Sequence, residues 1–84
     1  MYHVYVIYNR QHQKVYIGQT VDLNKRLKEH NDITNDKHVY TKRFGSGWEL
    51  IYSEPFSSRT EALKREKQLE SYQGRLFVKR FIPL

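Results

Sequence analysis

Tyr2-His3-Val4-Tyr5-Val6-Ile7-Tyr8, followed after a polar connection by Val15-Tyr16-Ile17-Gly18, is the stretch whose reading decides the fold. The first segment is β-branched and aromatic with apolar residues on both alternating faces, the pattern of a strand covered on both sides. It reads as an interior strand. Asn9-Arg10-Gln11-His12-Gln13-Lys14 is polar and joins it to the second segment as a hairpin, with Gly18 expected to end the second strand. An aligned register brings the hydroxyls of Tyr5 and Tyr16 to one face, near the mouth of the helix that follows.

Working outward, Asp22 caps a helix through Leu23, Arg26, Leu27 and His30, its carboxylate accepting the free amide hydrogens of the first turn. Asn31 is the expected stop. From Asn31 to Gly47 the chain is polar and reads as a long loop with one irregular turn. Trp48 to Ser53 supplies a third strand, and Glu54-Pro55-Phe56 is expected to turn it toward a second helix. Ser58 with Glu61 three residues on forms a capping box at that helix, which then runs without Gly or Pro to a stop at Gly74. Leu76-Phe77-Val78 and Phe81-Ile82 suggest a short C-terminal docking helix. The order β-β-α-β-α with this terminal element predicts an α/β fold, a small three-stranded antiparallel sheet flanked by helices.

The chain has 84 residues, enough for one domain spanning 1–84. Its aromatic content of 14% supplies enough apolar surface to disfavour disorder. Cysteine is absent, which excludes a disulfide framework and a thiolate metal cluster. Neither a leader segment nor a membrane-length apolar run is evident, so a cytoplasmic protein is expected. Lys and Arg total 15 against 9 acidic residues, a net charge of +6 that favours polyanionic partners.

Within this frame some charges sit on unexpected faces. Ala62, Leu63 and Leu69 form the apolar stripe of the second helix, and Glu66 lies four residues after Ala62 and three before Leu69. A carboxylate directed toward the core needs a cation, a metal ion, strong donors or a water-filled cleft. The bland alternative is a rim position paired with Arg59 or Lys67. On the first helix Arg26 and His30 share one flank, a spacing that suits a phosphate, although taken alone a solvated basic face is the better explanation.

The order His3-Val4-Tyr5, Tyr16-Ile17-Gly18, Arg26 with His30, then Glu66 resembles the GIY-YIG nuclease superfamily. Tyr-Ile-Gly-Gln-Thr, Asp-Leu-Asn-Lys-Arg-Leu-Lys-Glu-His and Ser-Arg-Thr-Glu-Ala-Leu-Lys-Arg-Glu-Lys-Gln-Leu are similar to the small stand-alone bacterial proteins related to the excision-repair incision subunit. His3 stands where the first triplet often has Gly, and no Asn follows Asn35, although some members carry one after the glutamate. The resemblance implies a DNA endonuclease. Tyr5, Tyr16, Arg26, His30 and Glu66 would be its catalytic set, with one Mg2+ or Mn2+ at Glu66.

In that scheme Arg26 grips the scissile phosphate and Tyr5 takes the proton of the attacking water, given nearby positive charge from Arg26, the metal or Lys14. Tyr16 orients water or phosphate, and His30 supports Tyr5 or the phosphate. Lys14, Lys37, His38, Lys42 and Arg43 would contact flanking phosphates without reading sequence. A partner protein or a second copy would supply targeting. Two rivals stand beside this reading: a nucleic-acid-binding module without cleavage, and a protein-interaction domain displaying Trp48 and Phe44.

Overall fold

The structure, a computed structural model, describes residues 1–32, 34 and 39–83. Lys37 and His38 lie outside the described residues. Strands β1 (Tyr2–Asn9) and β2 (Lys14–Thr20) form the expected antiparallel hairpin. Helix α1 (Leu23–Asn31) follows, then a short helix α2 (Val39–Lys42), strand β3 (Trp48–Phe56), and helices α3 (Arg59–Glu70) and α4 (Tyr72–Lys79). The sheet order is β2-β1-β3, so β1 is the central strand. No described helix is long and apolar enough to cross a membrane.

The two faces of β1 organise two apolar layers. Val4 and Val6 are fully buried against Ala62, Leu69 and Val78 of α3 and α4. On the opposite face Tyr5 and Ile7 pack with Trp48, Leu23 and Leu27. This double burial is why the segment carries no polar alternation.

Several boundaries differ from the sequence expectation, each for a physical reason. Gly18 does not end β2: it pairs opposite Tyr5, and the ladder continues through Gln19 and Thr20. Glu54-Pro55-Phe56 is not a turn but the end of β3, paired with His3 and its neighbours. Proline is tolerated there because β3 is an edge strand. The register of β3 against β1 shifts between Val6 and Ile7, with Tyr52 opposite Val6 and Leu50 opposite Ile7. Ile51 is thus the extra residue of a bulge, and both Ile51 and Tyr52 pack on the Val4 layer.

Both predicted helix starts form. The Asp22 side chain accepts from the Lys25 amide at 3.1 Å, and the Ser58 hydroxyl from the Glu61 amide at 3.2 Å. At the other end of α1, Asn31 bridges to β3: its side chain donates to the Trp48 carbonyl at 3.0 Å and accepts from the Trp48 amide at 2.7 Å. An amide side chain thereby completes the end of a strand and fixes α1 on the sheet.

The stop at Gly74 is also displaced. Helix α3 ends at Glu70, Ser71 caps α4 by accepting from the Gly74 amide at 3.2 Å, and Gly74 lies buried inside α4. A Cβ at this position would meet the Gln68 carbonyl oxygen and the Leu69 Cα, both backbone atoms of α3. Glycine is required here for close approach of two helices rather than for a left-handed conformation. Gly74→Ala should therefore force α4 off α3 and cost about 2–3 kcal/mol, at the upper end of overpacking penalties because backbone must move. Urea unfolding checks this; a midpoint equal to the wild type's would contradict the packing described.

Candidate active site

The hairpin register places Tyr5, Ile7, Tyr16 and Gly18 on one sheet face, since Tyr5 is opposite Gly18 and Ile7 opposite Tyr16. The missing side chain at Gly18 makes room for a phenol. A Cβ there would lie 2.8 Å from Tyr5 Oη and 3.1 Å from the Tyr16 ring. Tyr5 and Tyr16 accordingly approach to 6.3 Å between ring centroids.

His30, from the last turn of α1, enters the same cluster. Its ring is 4.9 Å from that of Tyr16 and 5.8 Å from that of Tyr5. The imidazole and the Arg26 guanidinium both act on Tyr5, the imidazole from the buried side. The ring has Nε2 2.7 Å from Tyr5 Oη and Nδ1 2.9 Å from Thr41 Oγ1 of α2. Thr41 is fully buried, and its carbonyl accepts from Trp48 Nε1 at 3.1 Å. With the Nδ1 proton donated to Thr41, Nε2 is left to accept from the Tyr5 hydroxyl.

Arg26 sits at the edge of this cluster and donates through Nε to Glu29 Oε1 at 3.1 Å. Its guanidinium also acts on the Tyr5 phenol and draws that phenol's pKa down. Burial and the neighbouring Tyr16 outweigh it, and the Tyr5 pKa is raised well above the ordinary phenol value. Arg26 alone therefore does not offset the burial of Tyr5. Tyr16 is likewise pushed up, by burial first and then by the charge of Glu66.

Glu66 reaches this group from α3. Its charge acts on both Tyr5 and Tyr16, so the carboxylate lies within electrostatic reach of the two phenols. Of the expected apolar stripe, Ala62 and Leu69 are buried but Leu63 is 40% exposed, because it lies a full 100° of helical rotation from Ala62. Glu66 is consequently half-buried at a rim rather than in the core. Its pKa is raised, chiefly by desolvation and next by Glu70 one turn on, with Lys67 opposing.

This donor chemistry suits a hard divalent cation. The Glu66 carboxylate, disfavoured as an anion by burial and by the neighbouring Glu70, would gain from a positive charge beside it. Among the described residues no three His, Asp or Glu side chains form a metal cage. A magnesium-type ion bound by one or two carboxylates and completed by waters needs no such cage.

The expected phosphate contacts divide. Lys14 lies at the start of β2, its ammonium 5.7 Å from the Phe44 ring centre. Lys42 ends α2 and Arg43 follows it, exposed. Trp48 is 3% exposed and buried in the core, so it forms no surface patch with Phe44. Thr41 was not anticipated, and nothing in its polar surroundings marks it in the sequence.

Comparison with known proteins follows this geometry. A family model described as the GIY-YIG catalytic domain matches residues 1–75. The UPF0213 protein YazA of Bacillus subtilis is 33% identical over 79 residues, covering 90% of this chain and 77% of that protein. A UPF0213 protein of Haloquadratum walsbyi is 32% identical over 71 residues, 84% of this chain and 76% of its own. One from Staphylococcus epidermidis is 34% identical over 58 residues, 69% and 67% respectively. No solved structure matches the chain. The matched range includes both tyrosines, Arg26, His30 and Glu66, and the chain belongs to the GIY-YIG catalytic domain family.

Proposed function

We propose that the chain is an endonuclease that hydrolyses DNA phosphodiester bonds with the help of one divalent cation, Mg2+ or Mn2+, held at Glu66. The observation that carries this reading is the convergence of two phenols, an imidazole, a guanidinium and a carboxylate from β1, β2, α1 and α3, the carboxylate acting on the phenols from the opposite layer of the sheet. When bound, the cation supplies positive charge to the phosphoryl oxygens and the leaving oxygen.

The chain's own groups supply the remainder. Arg26 moves from Glu29 to the scissile phosphate, where its parallel donors neutralise charge developing on the non-bridging oxygens. Tyr5 receives the proton of the attacking water. Because its pKa is raised, it passes its own hydroxyl proton to His30 Nε2 in the same step rather than waiting as phenolate. With Thr41 accepting the Nδ1 proton, the imidazole is in the tautomer that can accept at Nε2. Tyr16, between the His30 ring and Glu66, orients the water or the phosphate. Lys14, Lys42 and Arg43 hold flanking phosphates.

Nicking of supercoiled plasmid and of circular single-stranded DNA with Mg2+ or Mn2+ tests the reading. Glu66→Ala and Arg26→Ala should each lower the rate at least ~100-fold, the usual scale for losing a transition-state electrostatic contact. Equal activity in all three preparations would mean a contaminating nuclease or a different site. Retained DNA binding without nicking would leave only a binding module.

The raised Glu66 pKa makes a separate prediction about stability. The folded chain holds the Glu66 proton more tightly than the unfolded chain, so this group favours folding at low pH. That contribution is lost as pH rises through the raised value. In EDTA, Glu66→Gln should therefore melt slightly higher than wild type at neutral pH, by a few degrees at most. The gain should vanish below the ordinary carboxylate pKa of about 4. A Gln variant that melts lower than wild type at neutral pH would refute the assigned desolvation.

A further inference from the structure

A groove of about 700 Å³ runs along the free edge of β2, between that strand and α4, and opens at Tyr16. It carries residues of both layers. Val15, Ile17 and Val78 make an apolar floor, and Tyr40 of α2 forms a wall, 42% exposed. The Tyr40 ring is 5.9 Å from Tyr16 and 5.3 Å from Phe44, which holds it in place. Lys14, Arg75 and Lys79 stand exposed on the rim. Arg75 and Lys79 are four apart and so share one face of α4.

Glu70 is the single carboxylate among the described lining residues. Its charge acts on Tyr16 and on Glu66, which places it at the end of the groove adjoining the candidate active site. The groove is thus continuous with the reaction site at one end and basic elsewhere.

We infer that this groove binds an unpaired stretch of nucleic acid next to the scissile phosphodiester, with a base on the Tyr40 ring and phosphates on Lys14, Arg75 and Lys79. This deepens the reading proposed above and rests on it for the position of the scissile bond. Paired and stacked bases hide their faces, and a duplex backbone would use the cations but not an apolar floor beneath an aromatic ring. An unpaired nucleotide uses both: its base stacks on an aromatic side chain while its phosphates track basic groups. The volume falls in the range of small-ligand sites and accommodates a nucleotide rather than a helix. The substrate class is therefore nucleic acid with a single-stranded segment at the cleavage position.

Fluorescence anisotropy in EDTA tests this without cleavage, using a labelled blunt duplex, the same duplex with a single-stranded tail, and the single strand alone. The wild type should bind the tailed duplex about ten-fold tighter than the blunt one, the scale of one base stacked on an aromatic side chain. Tyr40→Ala should remove that preference and Tyr40→Trp should keep it. Arg75→Glu with Lys79→Glu should weaken single-strand binding and flatten its slope against log salt by roughly 1.4, two phosphate contacts' worth. The charge-matched control, Arg59→Glu with Lys64→Glu on exposed positions of α3, should retain the preference.

Equal wild-type affinity for tailed and blunt duplexes would overturn the inference. So would equal losses in the rim and control pairs, or no binding to any probe. The arms separate from the cleavage assay: tail preference without nicking removes the nuclease reading and leaves the groove, and nicking without tail preference does the reverse.

Discussion

The rest of the structure depends on the buried chain of polar contacts from Tyr5 through His30 to Thr41. These groups lie in a layer otherwise filled by Ile7, Trp48, Leu23 and Leu27. A buried donor or acceptor left without a partner costs about 1–3 kcal/mol, so each must be met by the next. Tyr5 belongs to the central strand, His30 to the end of α1, and Thr41 to α2. Satisfying the three together therefore fixes where α1 and α2 sit on the sheet. Trp48 locks the arrangement from β3, held by Asn31 through its backbone and by the Thr41 carbonyl through its indole. Among the described residues no buried side-chain polar atom is left unpaired.

The opposite face of β1 has no such demand and is filled by aliphatic packing with α3 and α4. The two layers meet at the edge of β2. There the groove takes Tyr16 and Tyr40 from one layer, and Glu70 and Val78 from the other. That edge is where a carboxylate carried by α3 can act on a phenol belonging to the other face. The close contact of α4 with α3 at Gly74 also brings Arg75 and Lys79 to the groove. A packing feature on the structural side of the sheet thus shapes the functional side.

Much of this was legible because it is local or periodic. The unbroken apolar run of β1 announced double burial, and Asp22 and Ser58 announced helix starts through their short-range acceptors. Features set by the third dimension were not legible. Pro55 reads as a breaker until β3 is known to be an edge. Gly74 reads as a stop until a second helix backbone is found against it. His30, four residues from Arg26, reads as a support for Tyr5 or for a phosphate; its contact with Tyr5 was thus readable, but not its burial against Thr41, eleven residues away in a segment without periodicity. For the site, the ordered set of residue types was readable, but not that Arg26 fails to offset the burial of Tyr5.

That last point bears on how the site can turn on and off. Glu66 raises the pKa of both Tyr5 and Tyr16, and its own ionisation is disfavoured by burial and by Glu70. These are mutual interactions, so whatever neutralises Glu66 makes loss of a proton from either phenol easier by the same coupling. A proton on Glu66 would do this but would also remove the anion needed to hold a cation. A bound positive charge achieves the neutralisation while the carboxylate stays ionised. Phosphate arriving at Arg26 works in the opposite sense, since it competes for the guanidinium that draws the Tyr5 pKa down. In the mechanism proposed, positive charge at Glu66 would offset the loss of Arg26 to the substrate phosphate, and the hydrogen bond to His30 would be the route by which the proton leaves.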